Sequence, residues 1–327
     1  MTRALLVLAA ALVLAPAALA DGIAPFATQG GPGALAPDGG SRYVAVGGGA
    51  ATTIVRIDAH GGGVLNSTTV RGTWGVPVVT YANDAEGVSL DGKTLVLGDV
   101  VRSWPHSRSS FLFLDPRSLR ELRRVTLRGD FSFDALSPDA SRLYLVQHVD
   151  SNDTTRYVVR ALDTHSLQLL PGRIADRTQR SWVMQGYPLD RVISSDGRWV
   201  YTLYSNPQNV PFVHALDTVR GVAHCIGLPL RSGDQSNLVL ALRNGDRTLA
   251  VHWLSGRPWY TVDTQTWRLA RDRGAGFPWW GWAAIALLLA TILLAYGRRA
   301  RTLTAGTARR DRSPARLGSW LPLTRLR

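Results

Sequence analysis

The sequence predicts an all-β fold built from a repeated antiparallel unit, because two landmarks recur in phase five times along the chain. The first landmark is a turn of the Ser-Pro-Asp-Gly type followed by an apolar strand, as in LSPDASRLYLV at residues 136–146. The second is a strand that ends in Asp-Thr or a related pair, as in VRALDTHSLQ at residues 159–168. The first landmark repeats every 48 to 57 residues, which predicts five units of about fifty residues.

Each landmark has a local physical reason. In the first, Pro presets the backbone angle φ of the second turn position, Asp accepts hydrogen bonds from nearby amides, and Gly adopts the strained corner. In the second, the carboxylate ends one strand and caps the turn into the next. The aspartates expected to form these structural turns are Asp38, Asp91, Asp139, Asp196 and Asp246 in the first landmark, and Asp58, Asp115, Asp163, Asp217 and Asp263 in the second.

A unit of four strands in about fifty residues, repeated five times, is typical of a β-propeller, since one blade buries both faces of its sheet only when neighbours stack on it. Five blades account for residues 35–271, and six blades are the alternative count. The segment IAPFATQ, residues 23–29, is expected to add a strand that closes the ring. A pair of β-sandwiches is the rival architecture, but it gives no reason for landmarks that repeat in phase.

The S-P-D-G turn, the strand and the L-D-T pair together resemble the YVTN-type and TolB-like extracytoplasmic β-propellers, which are distant relatives of WD-repeat propellers. The resemblance covers nearly all of residues 21–275, and its motifs imply a fold without implying a chemistry. The chain departs from the pattern where Asp91 lacks a preceding Pro, where Ala140 replaces Gly after Asp139, and where the last repeat reads RNGD. Lys93 is the single lysine, and this preference for arginine is typical of high-GC bacteria such as actinobacteria.

Targeting segments are expected at both ends of the chain. Residues 1–20 carry one early arginine, an apolar stretch and small residues before Asp21, which predicts a signal peptide; an uncleaved membrane anchor is the alternative. No charged residue lies between Arg273 and Arg298, and tryptophans cluster at the outer end of this interval. It therefore predicts a transmembrane helix over residues 276–297, with a buried core helix as the alternative.

The last segment, residues 298–327, is a basic tail. Its nine arginines and one aspartate give it a formal charge of +8. By the positive-inside rule the tail is expected in the cytoplasm, disordered and near anionic lipid, and residues 21–275 form the extracytoplasmic propeller. Because the tail and Arg3 hold most of the formal charge of +13, only about +4 remains on that domain, and nucleic acid is not an expected partner.

Strand parity predicts where a binding surface lies. Both kinds of aspartate turn are expected on one side of the propeller, the turn face, so the longer connections lie on the opposite side, the loop face. Function concentrates on such loops, and aromatic and Arg side chains are favoured anchors of interfaces. The candidate binding residues of the loop face are Trp74, Tyr81, Trp104, His106, Arg108, Arg180, Trp182, Tyr187, Asn206, Asn209 and Arg231.

The composition gives little support for catalysis. Glu86 and Glu121 are the only glutamates, and ten aspartates are assigned to turns, so few carboxylates remain for acid–base chemistry. Cys225 is the single cysteine, which excludes internal disulfides and paired-cysteine zinc sites. The polar stretch HVDSNDTT, residues 148–155, lacks the spacing of a calcium loop. No metal and no cofactor is therefore expected.

Two functions remain. The favoured one is a non-catalytic binding or scaffold module, anchored at the cell surface, that engages an envelope protein, a peptide or a glycan. The alternative is a propeller hydrolase such as a lactonase, implied by the activity of some similar propellers, with its site at the central channel. That alternative requires residues such as Asp84, His148 and Arg180 to converge there.

Overall fold

The computed structural model describes residues 26–100, 105–176, 178, 183–206, 210–230, 235–274 and 283–294. The predicted signal peptide and the basic tail lie outside these residues. The chain forms two compact units, residues 1–272 and 273–327, and all the strands of the described residues lie in the first.

Five antiparallel sheets follow one another along the chain, and we call them blades 1 to 5. Blade 1 contains β2 (Ala34–Leu35), β3 (Ser41–Gly48), β4 (Ala51–Asp58) and β5 (Val64–Arg71). Blade 2 contains β1 (Ala27–Thr28), β6 (Trp74–Pro77), β7 (Leu95–Asp99), β8 (Arg108–Leu114) and β9 (Glu121–Arg128). Blade 3 contains β10 (Phe131–Leu136), β11 (Arg142–His148), β12 (Arg156–Asp163) and β13 (Gln168–Leu169), and β14 (Met184–Gln185) also pairs with β12.

The last two blades have four strands each. Blade 4 contains β15 (Tyr187–Ile193), β16 (Trp199–Ser205), β17 (Phe212–Asp217) and β18 (Val222–Gly227). Blade 5 contains β19 (Leu238–Arg243), β20 (Thr248–Trp253), β21 (Pro258–Asp263) and β22 (Leu269–Arg271), after a short 3-10 helix at Gln235–Asn237. The prediction of an all-β chain of repeated antiparallel sheets is confirmed, and the described residues hold five blades.

The N-terminal strand does not close the ring as expected and belongs instead to blade 2. β1 pairs with β6 at the end of the sheet, with Ala27 opposite Pro77. Gly75 permits this close approach, because a Cβ atom at that position would lie 2.6 Å from the backbone nitrogen of Thr28. The side chain of Gln29 then donates to the carbonyl oxygen of Trp74 at 2.9 Å, which fixes the strand against the blade.

The aspartate turns lie where strand parity puts them. The turn at Asp139 joins the first and second strands of blade 3, and the turn at Asp163 joins the third and fourth. Both turns are therefore on the turn face. Nine of the ten aspartates accept a hydrogen bond from an amide of their own turn, two or three residues on. Asp246 is the exception: its carboxylate accepts from the amide of Ser195 in blade 4 at 2.6 Å.

Hydrophobic cores lie between successive blades. Leu112 and Ile54 belong to the core between blades 1 and 2, and Phe113 to the core between blades 2 and 3. Tyr144 packs between blades 3 and 4, and Val251 between blades 4 and 5. Among the described residues, none of these four cores joins blade 5 to blade 1.

The predicted membrane segment, residues 276–297, is described only in part. Residues 283–294 are helical. Within the described part of the chain, no helix combines the length and the apolar character needed to cross a membrane.

Candidate functional site

A segment of blade 2 leaves its sheet and occupies the axis of the propeller. β6 pairs with β7 as far as Gly75 opposite Gly98, and the pairing with β7 resumes at Val88 opposite Leu95. The residues between, 78–86, turn back on themselves through a bridge between Val78 and Ala85. We call residues 78–86 the axial plug.

The axial plug contacts β15, the innermost strand of blade 4, at two positions. The amide of Tyr81 donates to the carbonyl oxygen of Pro188 on β15 at 2.9 Å. The carboxylate of Glu86 lies 3.3 Å from a guanidinium nitrogen of Arg191, also on β15. Because innermost strands surround the axis of a propeller, this contact places the plug at the axis.

A buried group of three charged side chains holds the plug in place. Arg191 donates from Nη2 to the carboxylate of Asp134 on β10 at 2.5 Å, and from Nη1 to Glu86 on the plug. Arg191 and Asp134 are almost fully buried, whereas the side chain of Glu86 is 20% exposed. The triad therefore ties together blades 2, 3 and 4.

The electrostatics of this triad follow from its burial. Burial raises the pKa of Glu86, and the charge of Arg191 opposes that rise. For Arg191, burial opposes the charged form, but Glu86 and Asp134 outweigh it and raise the pKa of the guanidinium. Asp84, the other acid of the plug, accepts a hydrogen bond from Thr80 within the plug at 2.6 Å. These carboxylates are engaged by neighbours and form no open acid–base set.

A second titratable group lies on the loop face between blades 2 and 3. The Nε2 atom of His106 is 3.2 Å from the carboxylate of Asp130 and 3.1 Å from the hydroxyl of Ser109. Asp130 is 7% exposed, and within the described residues neither of its carboxylate oxygens has a hydrogen-bond partner of good geometry. Burial lowers the pKa of His148, while the charge of Asp130 opposes that shift. His106 is therefore the imidazole in contact with this buried carboxylate, and His148 senses its charge from farther away.

The hydroxyl of Ser109 is part of a blade-to-blade joint. It accepts from the amide of Phe131 at 2.7 Å and donates to the carbonyl of Gly129 at 3.0 Å. Thr52 makes the same two bonds between blades 1 and 2, to Trp74 and Gly72, each at 2.8 Å. With both bonds in place, the Ser109 hydroxyl is a structural group and is not disposed to act as a nucleophile.

This joint is a third landmark of the repeat, and the sequence does carry its signal. It reads VRGTW at residues 70–74 and LRGDF at residues 127–131. The glycine has a φ of 109° in the first joint and 120° in the second, which an L-residue rarely adopts. Asp130 occupies the position of Thr73, so an alignment of the two joints would have identified it as an unusual buried acid.

Two of the predicted binding residues meet at the loop-face end of the axis. The rings of Tyr81 and Tyr187 are 5.5 Å apart in an edge-to-face arrangement, and Tyr81 is 39% exposed. Burial raises the pKa of Tyr81, so its phenol is neutral at physiological pH. Arg108 is exposed at the start of β8 on the same face.

The other predicted residues are not part of this pair. Trp74 is 4% exposed in the core between blades 1 and 2, where its indole nitrogen donates to the carbonyl of Arg71, so its ring offers no area to a partner. The amide of Asn206 donates to the side chain of Gln235 at 3.2 Å. The predicted residues that lie outside the described part of the chain are Trp104, Arg180, Trp182, Asn209 and Arg231.

Two residues of the predicted hydrolase site, Asp84 and His148, lie in different parts of the fold, and the third, Arg180, is outside the described residues. Asp84 is bound inside the plug, and His148 lies on β11 of blade 3, where its Nε2 atom is 3.4 Å from the hydroxyl of Ser132. Across the described ranges, no group of three or more His, Cys, Asp or Glu side chains is placed to hold a metal ion.

Comparisons with known proteins give no family. No family model and no curated protein matches the chain. Among solved structures, the β-propeller domain of Cps50 (Swd1) from Myceliophteria thermophila is 12% identical, with 76% of this chain and 73% of that one covered and a TM-score of 0.44. TolB from Acinetobacter baumannii is 15% identical, with 76% and 55% covered and a TM-score of 0.40. The dihydro-heme d1 dehydrogenase NirN is 19% identical, with 78% and 48% covered and a TM-score of 0.41.

Proposed function

We propose that the protein is a non-catalytic binding or scaffold module that engages an envelope protein, a peptide or a glycan through its loop face. The observation that carries this proposal is the axial plug. The plug lies at the axis, where the hydrolase alternative places its site, and its two carboxylates are engaged by Arg191 and Thr80. Recognition is then left to the surface around the end of the axis.

The anchor of that surface is the pair Tyr81 and Tyr187. Each ring brings apolar area and a hydroxyl, which is why tyrosine is enriched in interfaces. The backbone of Tyr81 is fixed by its bond to Pro188, so little conformational entropy is lost when a partner binds. The exposed Arg108 adds a positive charge on the same face. An uncharged or weakly acidic partner surface fits this combination.

The proposal includes a place in the cell. Residues 1–20 direct export, residues 276–297 anchor the chain in the membrane with the propeller outside, and the arginines of residues 298–327 face anionic lipid in the cytoplasm. The charge-free interval between Arg273 and Arg298 and the basic tail that follows support this topology. Protease added to intact cells should remove an epitope inserted in blade 5 and spare one at the C-terminus. Loss of both epitopes would contradict it.

A photocrosslinking residue tests the binding face. It is placed in the full chain at Arg108 on the loop face, and, as a matched control, at His165 on the turn face; both side chains are exposed. We expect a crosslinked partner from position 108 only, and loss of that adduct when Tyr81→Ser and Tyr187→Ser are combined. Identical adducts from both positions, or adducts that survive the tyrosine changes, would contradict a loop-face binding site.

One observation favours the hydrolase as a second candidate. The carboxylate of Asp130 lies 3.2 Å from His106, and a buried carboxylate beside an imidazole is the arrangement that supports a general base. If this pair is catalytic, the purified chain turns over a lactone and His106→Gln abolishes turnover, while His165→Gln on the turn face leaves it unchanged. Lactone turnover that is absent, or equal in both variants, removes this candidate.

A further inference from the structure

The outer edge of blade 3 carries two grooves on either side of one chain segment. After β13 the chain continues along β12, with the amide of Leu170 bonded to Ala161 at 2.8 Å and the amide of Ile174 bonded to Val159 at 2.8 Å. This segment, residues 170–174, is called the outer ridge. It extends the sheet beyond β12, and one groove lies on each face of the extended sheet.

The first groove lies on the face of blade 3 that packs toward blade 2, and its volume is ≈ 390 Å³. Val158 and Arg160 alternate with residues whose side chains face blade 4, which places both on the blade 2 side. The walls combine three valines with two guanidinium groups and an amide: Val149, Val158, Val183, Arg160, Arg173 and Gln147.

Among the described residues, the two arginines of this groove have no acidic partner. Arg160 donates to the amide oxygen of Gln147 at 3.1 Å and to the carbonyl of Leu170 at 3.2 Å, both neutral acceptors. Its Nε atom is buried, and in the described part of the chain it has no acceptor. No carboxylate of the described residues comes within ion-pair distance of Arg160 or Arg173. The groove therefore has a fixed, uncompensated positive charge beside apolar walls.

The second groove repeats this chemistry on the opposite side of the outer ridge. Its volume is ≈ 300 Å³, and Arg142 and Arg220 line it. The guanidinium of Arg142 donates to the carbonyl of Val219 at 2.9 Å, again a neutral acceptor. Four arginines thus line the two grooves, and no carboxylate of the described residues lines either one. An acidic ligand is the complementary partner for such a surface.

We propose that the first groove binds a ligand with a carboxylate on an apolar body. The guanidinium of Arg160, held by Gln147 and the ridge, is a planar donor that suits a carboxylate, and the exposed Arg173 adds a second guanidinium to the groove wall. The three valines take the apolar body, and the groove volume suits a small ligand or a chain end. A free organic acid and the C-terminus of a peptide share this chemistry. The groove is on the outer strands of the blade, whereas the tyrosine pair is at the axis.

The test uses the full chain in a neutral detergent and a fluorophenyl-butanoate probe observed by fluorine NMR. We expect saturable binding, at least tenfold weaker in Arg173→Gln and in Arg160→Lys, the second of which keeps the charge and loses the fork. Arg268→Gln, an exposed arginine on the turn face of blade 5, is the matched control and should bind as the unmodified chain does. Arg173 is exposed, so its replacement should not impair folding.

Four comparison ligands define the outcome. The amine with the same fluorophenyl body should not bind, and equal binding of amine and acid would overturn the proposal. If a short peptide with a free C-terminal carboxylate displaces the probe and its C-terminal amide does not, the ligand is a peptide. If only a free organic acid displaces the probe, the ligand is an organic acid. Binding unaffected by Arg173→Gln and Arg160→Lys would also overturn it. The crosslinking result at position 108 is independent of every one of these outcomes.

Discussion

At the scale of single residues, the side chains that decide the architecture of the axis are Arg191, Asp134 and Glu86. Their contacts join positions 57 and 105 residues apart in the chain. A buried ion pair contributes little net stability when compared with apolar residues of the same volume, but removal of one partner leaves the other charge buried and unpaired. Replacement of one member of the triad should therefore lower the free energy of unfolding by more than the intact triad contributes to it.

Replacement of one acid of the triad should show this asymmetry. Asp134→Asn leaves the buried guanidinium of Arg191 with only the more distant and partly exposed Glu86, and we expect the free energy of unfolding to fall by about 3 kcal/mol. The matched control is Asp150→Asn, which breaks an exposed pair with Arg156 at 3.6 Å and should cost less than about 1 kcal/mol. Urea unfolding measures both, and similar losses in the two variants would contradict a structural role for the triad.

His214 is a residue whose burial makes stability depend on pH. It is 2% exposed on β17, and burial lowers the pKa of its imidazole to about 4. The unfolded chain takes up the proton near pH 6.5 and the folded chain only near pH 4, so acid favours the unfolded state across that window. The contribution of His214 is complete above pH 6.5 and is lost as the pH falls.

We therefore expect the stability difference between the unmodified chain and His214→Gln to shrink by about 2 kcal/mol between pH 7 and pH 5. Denaturant unfolding at a series of pH values measures it. The matched control is His165→Gln, which should leave the free energy of unfolding at pH 7 almost unchanged because the side chain is exposed. A constant difference for His214→Gln would show that the imidazole takes up its proton equally in both states.

At the scale of elements, blade 3 keeps its first aspartate turn although it lacks the glycine that follows the aspartate in blades 1, 2 and 4. Gly39, Gly92 and Gly197 follow their aspartates with φ between 65° and 69°, and Ala140 takes the same place with a φ of 53°. An L-residue in this left-handed region costs about 1 kcal/mol relative to glycine. Blade 3 keeps its turn because Asp139 still caps it and because Thr164 donates to the carbonyl of Ala140.

Ala140→Gly should consequently raise the free energy of unfolding by about 1 kcal/mol. The reverse change, Gly92→Ala, places a Cβ atom in open space at a φ of 65° and should lower it by a similar amount through backbone strain alone. Thermal or urea unfolding of the two variants provides the comparison. A loss of stability in Ala140→Gly would mean that packing of the buried methyl group outweighs the strain.

At the scale of the whole molecule, the four cores form a series in the described residues, so the blades are not equivalent. Blades 2, 3 and 4 have a core on each face of their sheets, and blades 1 and 5 have a core on one. On blade 1, the face directed away from blade 2 leaves Leu35, Val46 and Leu65 about half exposed. Local opening should therefore be easiest at the two terminal blades.

Hydrogen exchange should detect this gradient. We expect amides of β11 and β16 to exchange at least about tenfold more slowly than those of β4 and β21, since a difference of about 1.4 kcal/mol in opening free energy is a factor of ten. All four strands are hydrogen-bonded on both sides, so the comparison is not affected by unpaired edges. Equal protection in the four strands would indicate a ring that opens as one cooperative unit.

The blade order, the five-fold repeat and the placement of the turns were predictable from the sequence, because each depends on residues a few positions apart. Asp139 and Ser141, or Asp163 and Ser166, decide a turn through bonds that close within three residues. The joint of Ser109 with Gly129 and Phe131 was also within reach, since its R-G motif repeats. The edge-to-face pair of Tyr81 and Tyr187 was predicted as two surface residues of one face, but not as neighbours.

The axial plug was decided by tertiary structure alone. Nothing local distinguishes Glu86 in a connection from an exposed acid, and Arg191 lies in a strand whose pattern gives no sign of burial. Their pairing depends on three blades arriving around one axis, where the loss of solvent makes a charge partner necessary. For the same reason, the four arginines that line the two grooves of blade 3, none of which has a carboxylate partner among the described residues, are recognisable only once the sheet has folded. The repeat is determined by hydrogen bonds that close within a few residues of the sequence. The charged triad and the grooves are determined by the loss of solvent where distant strands meet.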